Sequence, residues 1–256
     1  MVAVVLVVVG GPFVYIHFIE GPAPAKLSLP KSRSASSSSV SPGGTTALDG
    51  AWNVGSGSIV GYRVKEVLIG QQSTAVGRTT KVWGSMTIAD SSVTQATFTV
   101  DMATVVSDQS GRNAQFDGRI MDVAEFPTAK FVLGAPVALD ISVPEGAVKK
   151  YSASGALTMH GVTKTINFTV SAERTGSSIY ALADIPIVFA DWSIENPSVG
   201  GFVTTQNSGI LEVLLRMTRG AGNPAFTGSS GSSSGSPGAP VTVPSTTVPP
   251  LHVPKS

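Results

Sequence analysis

The side chains able to do chemistry are few and scattered. Cysteine is absent, which excludes disulfides, thiolate metal sites, a CxxC redox pair and a cysteine nucleophile, and leaves the redox compartment open. The histidines, His17, His160 and His252, stand far apart, which argues against a His-rich metal cluster. His160 precedes Gly161 at an expected strand end; a hydrolase would need it to meet a nucleophile and an orienting carboxylate, with Asp191 or Asp122 as the available acids. The plainer reading is a turn histidine bonded to backbone. Asp117 with Asp122, and Asp184 with Asp191, match no paired-carboxylate spacing. Gly231-Ser232-Ser233-Ser234-Gly235 has the GxSxG form but lacks the strand and helix that a nucleophile elbow requires. There is no HExxH, Walker loop or dinucleotide fingerprint. Asn167-Phe168-Thr169 is a formal glycosylation sequon in mid-strand. Trp83 and Trp192 have no basic residues interleaved with them, as a nucleic-acid stacking platform would. No catalytic residue, metal or cofactor is assigned. A formal net charge of +1 provides no field for nucleic acid.

The elements that would position these groups fall into unlike pieces. Charged residues are only 13% of the chain and hydrophobic residues 42%. Residues 1–20 hold the run MVAVVLVVVGGPFVYIHFI, with His17 its only strongly polar side chain. It is long enough for a transmembrane helix, in which Gly10, Gly11 and Pro12 are tolerated. A cleaved signal peptide is the rival, but no basic residue precedes the run and Ala23-Pro24-Ala25 is a poor cleavage site. Lys26, Lys31 and Arg33 follow the run, and by themselves would put that side in the cytoplasm. Residues 21–47, rich in Pro and Ser, read as a disordered linker, and 220–256, rich in Ser, Gly, Pro and Thr, as a disordered tail.

Residues 48–219 alternate apolar and polar, as in Ala96, Phe98 and Val100, or Ile166, Phe168 and Val170. That period marks strands with one dry and one wet face. About eight strands are expected, near 58–66, 79–88, 93–102, 129–139, 148–159, 163–173, 178–189 and 209–217, which suggests an all-β antiparallel barrel or sandwich. Gln109–Asp122 does not alternate and reads as a short helix closing one end. A barrel of eight strands either fills with side chains or holds a ligand. Ala96, Ala153 and Gly155 are small at inward positions and leave room for the second.

The order and spacing of several motifs resemble the YceI-like family of lipid-binding (polyisoprenoid-binding) bacterial proteins. They are Ser58, Val60, Tyr62 and Val64 in the first strand; Arg112, Asn113, Gln115, Phe116, Asp122, Phe126, Pro127 and Phe131 around the helix; Gly155, Leu157, Thr158, His160, Gly161, Val162, Thr163 and Lys164; and Phe189-Ala190-Asp191-Trp192. The apolar start and Pro/Ser tail are similar to a membrane-anchored actinobacterial type. The resemblance implies an eight-stranded lipocalin-like barrel, at the cell membrane and outside the cytoplasm, carrying an isoprenoid or fatty-acyl lipid as a monomer or homodimer. Its ligand-facing candidates are Val60, Tyr62, Val64, Phe98, Val100, Arg112, Phe131, Leu157, Phe168, Val213 and Leu215. Each apolar member could equally be core, and Arg112 could equally cap the helix or pair with Asp122. The chain departs from the family pattern at Glu66, often His, and at Asn113-Ala114-Gln115-Phe116, where the helix often reads Asp-x-His-Leu. The alternative is a structural or adhesive envelope module with a filled barrel.

Overall fold

Hairpin turns set the architecture. Asp90 and Ser91, and again His160 and Gly161, all have positive φ, the backbone of two-residue type I′ turns that match the twist of antiparallel strands. The computed structural model describes residues 23–30, 48–68, 70–107, 109–200 and 203–220. The N-terminal apolar run and the C-terminal tail, assigned above to a membrane span and a disordered segment, lie outside the described residues. Among the described residues no helix is long and apolar enough to cross a membrane.

Thirteen strand segments form one sheet: β1 (Gly50–Val54), β2 (Ile59–Leu68), β3 (Gln71–Thr79), β4 (Val82–Ala89), β5 (Ser92–Asp101), β6 (Val106–Ser107), β7 (Thr128–Leu133), β8 (Val137–Ala138), β9 (Val148–Met159), β10 (Val162–Thr175), β11 (Ser178–Val188), β12 (Val203–Thr205) and β13 (Ser208–Thr218). Several are halves of one bent strand. β1 and β2 lie in succession along β13, through Val54↔Met217 and Ile59↔Leu214. Likewise β3 and β4 lie beside β2 and β1, β7 and β8 both pair β5, and β12 and β13 both pair β2. The result is a closed antiparallel barrel of eight strands, sealed where β1 and β2 meet β13.

The bend between β1 and β2 is held by Ser58. Its buried hydroxyl donates to the Gly55 carbonyl at 2.8 Å and accepts from the Arg216 amide at 2.9 Å. The non-alternating stretch is a short helix, α1 (Ser110–Gln115), which widens into a π turn over Phe116–Ile120. Expected strands match closely at β9, β10 and β13. Near 79–88 the strand proves to be β4, with β3 before it, and near 129–139 it is interrupted between Leu133 and Val137 by Gly134-Ala135-Pro136, where proline cannot extend the ladder.

The expected disordered linker is also altered. Within it, residues 23–30 have no regular secondary structure and are bonded to the outside of the barrel: Arg63 Nη2 donates to the Pro24 carbonyl at 2.7 Å. Composition misled here because proline-rich backbone has unengaged carbonyls that a neighbouring guanidinium can recruit.

Candidate functional site

Alternation places one face of every strand inside. The interior is apolar in two clusters, one containing Val64, Phe116, Leu157, Ile185 and Phe189, the other Trp52, Val60, Ile88, Leu215 and Met217. Between and around them the barrel encloses a cavity of about 740 Å³. Side chains therefore do not fill the lumen, as the filled barrel of the alternative reading would require. All the ligand-facing candidates named from sequence line this cavity: Val60, Tyr62 and Val64 on β2, Phe98 and Val100 on β5, Arg112 on α1, Phe131 on β7, Leu157 on β9, Phe168 on β10, and Val213 and Leu215 on β13. Alternation did not single out further wall residues, among them Met86 and Ile88 on β4, Ile185 and Ile187 on β11, and Phe116 after α1. The parity of β4 and β11 was a signal that could have found the first four.

Aromatic rings organise the wall. Phe131 stacks on its cross-strand partner Phe98 at 6.5 Å between centroids and meets Phe168 edge-on at 5.5 Å. Tyr62 stacks on Phe116 at 5.1 Å, pinning the π turn to β2. Two glycines make room for these rings. A Cβ on Gly155 would lie 2.5 Å from the Phe131 ring, and one on Gly77 would lie 2.4 Å from Tyr62. Gly155 therefore seats a ring and does not add lumen space, a correction to its expected role. Ala96 and Ala153 do line the cavity.

A charged pair, Glu66 and Arg112, sits at the end covered by α1. Gly111, Gln115 and Val199 line the cavity while exposed, so that end opens to solvent. There Arg112 Nη2 donates to Glu66 Oε1 at 2.8 Å, with both side chains largely buried. Arg112, for which the sequence leaves a ligand contact, a helix cap and a pairing with Asp122 all open, pairs with Glu66, because β2 runs beneath the helix.

His160 is held as a turn residue: its Nδ1 lies 3.0 Å from the Trp192 carbonyl and Phe126 packs edge-on against its ring. Asp191, a candidate orienting acid, bonds Lys164 at 2.6 Å. Among the described residues no group of three or more His, Asp or Glu could hold a metal ion.

Residues 52–214 match the model of the YceI-like domain. The chain belongs to the YceI-like domain family. Solved structures share this fold at low identity. A polyisoprenoid-binding domain from Saccharophagus degradans, implicated in plant cell wall breakdown, aligns with TM-score 0.54 and 16% identity over 66% of this chain and 98% of that one. BcnA of Burkholderia cenocepacia is similar at TM-score 0.47 and 20% identity, over 60% of this chain and 95% of its own. A YceI protein of Campylobacter jejuni is similar at TM-score 0.42 and 14% identity, over 55% and 83%. No curated protein matches the chain.

Proposed function

We propose that this protein binds or carries a long-chain amphiphilic lipid, isoprenoid or acyl, in the barrel lumen without catalysing a reaction on it. The observation that carries the reading is the cavity of about 740 Å³ walled almost wholly by hydrocarbon. Its volume falls within the range of small-molecule sites. Burial supplies about 0.8 kcal/mol per methylene, so a long chain is held by its length, and a few polar groups set its direction. Glu66, Arg112 and Gln115 gather at the open end, so a polar head would sit there and the tail would run inward. The polyisoprenoid-binding neighbour supports an isoprenoid as the first candidate.

The apolar run Met1–Ile19 supports a second element of the reading: the barrel is anchored at the cell membrane, outside the cytoplasm, so that apolar cargo has a short path. Native mass spectrometry of the detergent-solubilised full chain, followed by solvent extraction, tests the lipid reading. An adduct of several hundred daltons that extraction identifies as isoprenoid or acyl lipid is expected. A mass without adduct that persists after incubation with membrane lipids would sink it.

A further inference from the structure

Glu212 lies on β13, and its carboxylate is held on the outer face of the barrel by Arg63 and Arg78, the two arginines that also bond residues 24 and 25. Yet its side chain has no exposure at all. Arg63 Nε donates to one of its oxygens at 2.8 Å and Arg78 Nη2 to the other at 2.8 Å. These guanidinia are thereby fixed in place, and both turn an Nη2 outward. Arg63 Nη2 donates to the carbonyl of Pro24 at 2.7 Å and Arg78 Nη2 to the carbonyl of the next residue, Ala25, at 2.5 Å. Lys26 then reaches Asp184 at 2.9 Å. Asp184, Glu212, Gly61 and Arg78 form one register row across β11, β13, β2 and β3. Farther along, half-buried Leu27 and Leu29 alternate with exposed Lys26, Ser28 and Pro30, the period of an extended chain with one face against a surface.

We infer that residues 23–30 are a captured strap: an extended, proline-spaced peptide bound in cis by a site on the outer barrel wall built on Glu212, Arg63 and Arg78. Consecutive donors on the wall meet consecutive carbonyls of the strap, which suits a peptide whose backbone has no internal hydrogen bonds. The planar fork of each guanidinium can hold the carboxylate and a carbonyl together.

Capture changes the tether. A free coil over residues 21–47 would let the barrel wander about 30 Å from the end of the apolar run. With the strap docked, only Glu20, Gly21 and Pro22 separate that run from the wall, a reach of roughly 10 Å. The flank formed by β2, β3 and β13 is therefore held beside the membrane surface. This second step rests on the anchoring proposed above; capture of the strap does not.

The absence of cysteine makes the test clean. A spin label on Ser28→Cys in the detergent-solubilised full chain is expected to be immobilised, and to gain mobility when Lys26→Glu, Leu27→Ser and Leu29→Ser are combined. These changes sit on the strap, so the melting of the barrel serves as the control that it is intact. A label already mobile on the unaltered strap overturns the capture. For the tether, a donor dye on Lys65→Cys, exposed on the outer face of β2, is paired with headgroup-labelled acceptor in phosphatidylcholine vesicles. Energy transfer is expected to fall at least twofold in the triple variant, and unchanged transfer overturns the fixed flank. A full chain that does not float with vesicles defeats the anchoring reading and the fixed flank with it, while the Ser28 label still decides the capture.

Discussion

Glu66 and Arg112, 46 residues apart in sequence, meet at 2.8 Å at the rim of the cavity and tie wall strand β2 to the covering helix α1. The pair replaces what would otherwise be two separate polar groups facing the opening. It fixes α1 over one side of the mouth.

The first prediction concerns that latch. Arg112→Gln leaves a largely buried carboxylate without this donor, which costs about 1–3 kcal/mol. At roughly 2–4 °C per kcal/mol for a domain of this size, thermal unfolding should drop by several degrees. The double variant Glu66→Gln with Arg112→Gln should recover part of the loss, because no buried charge is then stranded. A double loss equal to the sum of the single ones would mean that the two groups act independently.

A second prediction follows from the ring seated on Gly155. An added methyl would approach the Val132 carbonyl at 2.4 Å and the Phe131 ring at 2.5 Å, so Gly155→Ala forces backbone or ring to move. Overpacking of this kind costs about 1–3 kcal/mol. Combining it with Phe131→Leu should relieve the ring clash but not the carbonyl clash, so chemical denaturation should show partial rescue. Full rescue would place the whole strain in the ring.

How far the sequence foretold these features depends on where the information lay. β9, Val148–Met159, was legible end to end because its alternation runs unbroken. β3 was not: Ala75, Val76 and Gly77 are successively buried, so period two fails there and polar Gln71, Gln72 and Ser73 hide the strand. The wall positions on β2, β5, β7, β9, β10 and β13 named from sequence were legible because strand parity decides which side chains face inward. The seat of Phe131 on Gly155 and the pairing of Arg112 with Glu66 were not, since each joins separate strands or a strand and a helix whose placement is a tertiary result. The strap was hidden for a related reason. Its backbone carbonyls, which no sequence pattern displays, make two of its contacts.

The lumen supplies a third prediction. Ala153 lines the cavity and is half-buried on β9, and Ala153→Phe would project a ring into open volume. Lipid uptake, followed with a fluorescent fatty acid or by adduct mass, should fall severalfold while the melting temperature changes little. Binding that persists at the parent level would move the ligand away from the lumen.

A pH effect of known sign arises at Asp140. The Ser142 hydroxyl and then Lys149 bond its carboxylate and hold its pKa below the ordinary 3.8. The folded value is the depressed one, so the stabilisation is present above the unfolded pKa and is lost as pH falls through the folded one. The parent should therefore exceed Asp140→Asn in melting temperature at neutral pH, and the gap should close on acidification below about pH 4. A gap that stays constant to pH 2 would show that the carboxylate charge has no part in it.

The outer-wall cluster gives the last prediction, and the largest. Glu212 is wholly buried between Arg63 and Arg78. Glu212→Ala would leave both guanidinia without the anion that orients them, and breaking a buried pair from one side costs about 3–5 kcal/mol. That corresponds to a fall of roughly 10–15 °C in the unfolding midpoint. Replacing the cluster together, as Glu212→Leu with Arg63→Met and Arg78→Met, removes the charges along with their desolvation cost and should restore much of the stability. It also removes the donors that hold Pro24 and Ala25. A triple variant that melts like the parent but frees the Ser28 label would separate the two roles of the cluster, stability of the wall and retention of the strap. If the single Glu212→Ala variant melts within a degree or two of the parent, water reaches the site and the carboxylate is not the centre of the outer wall.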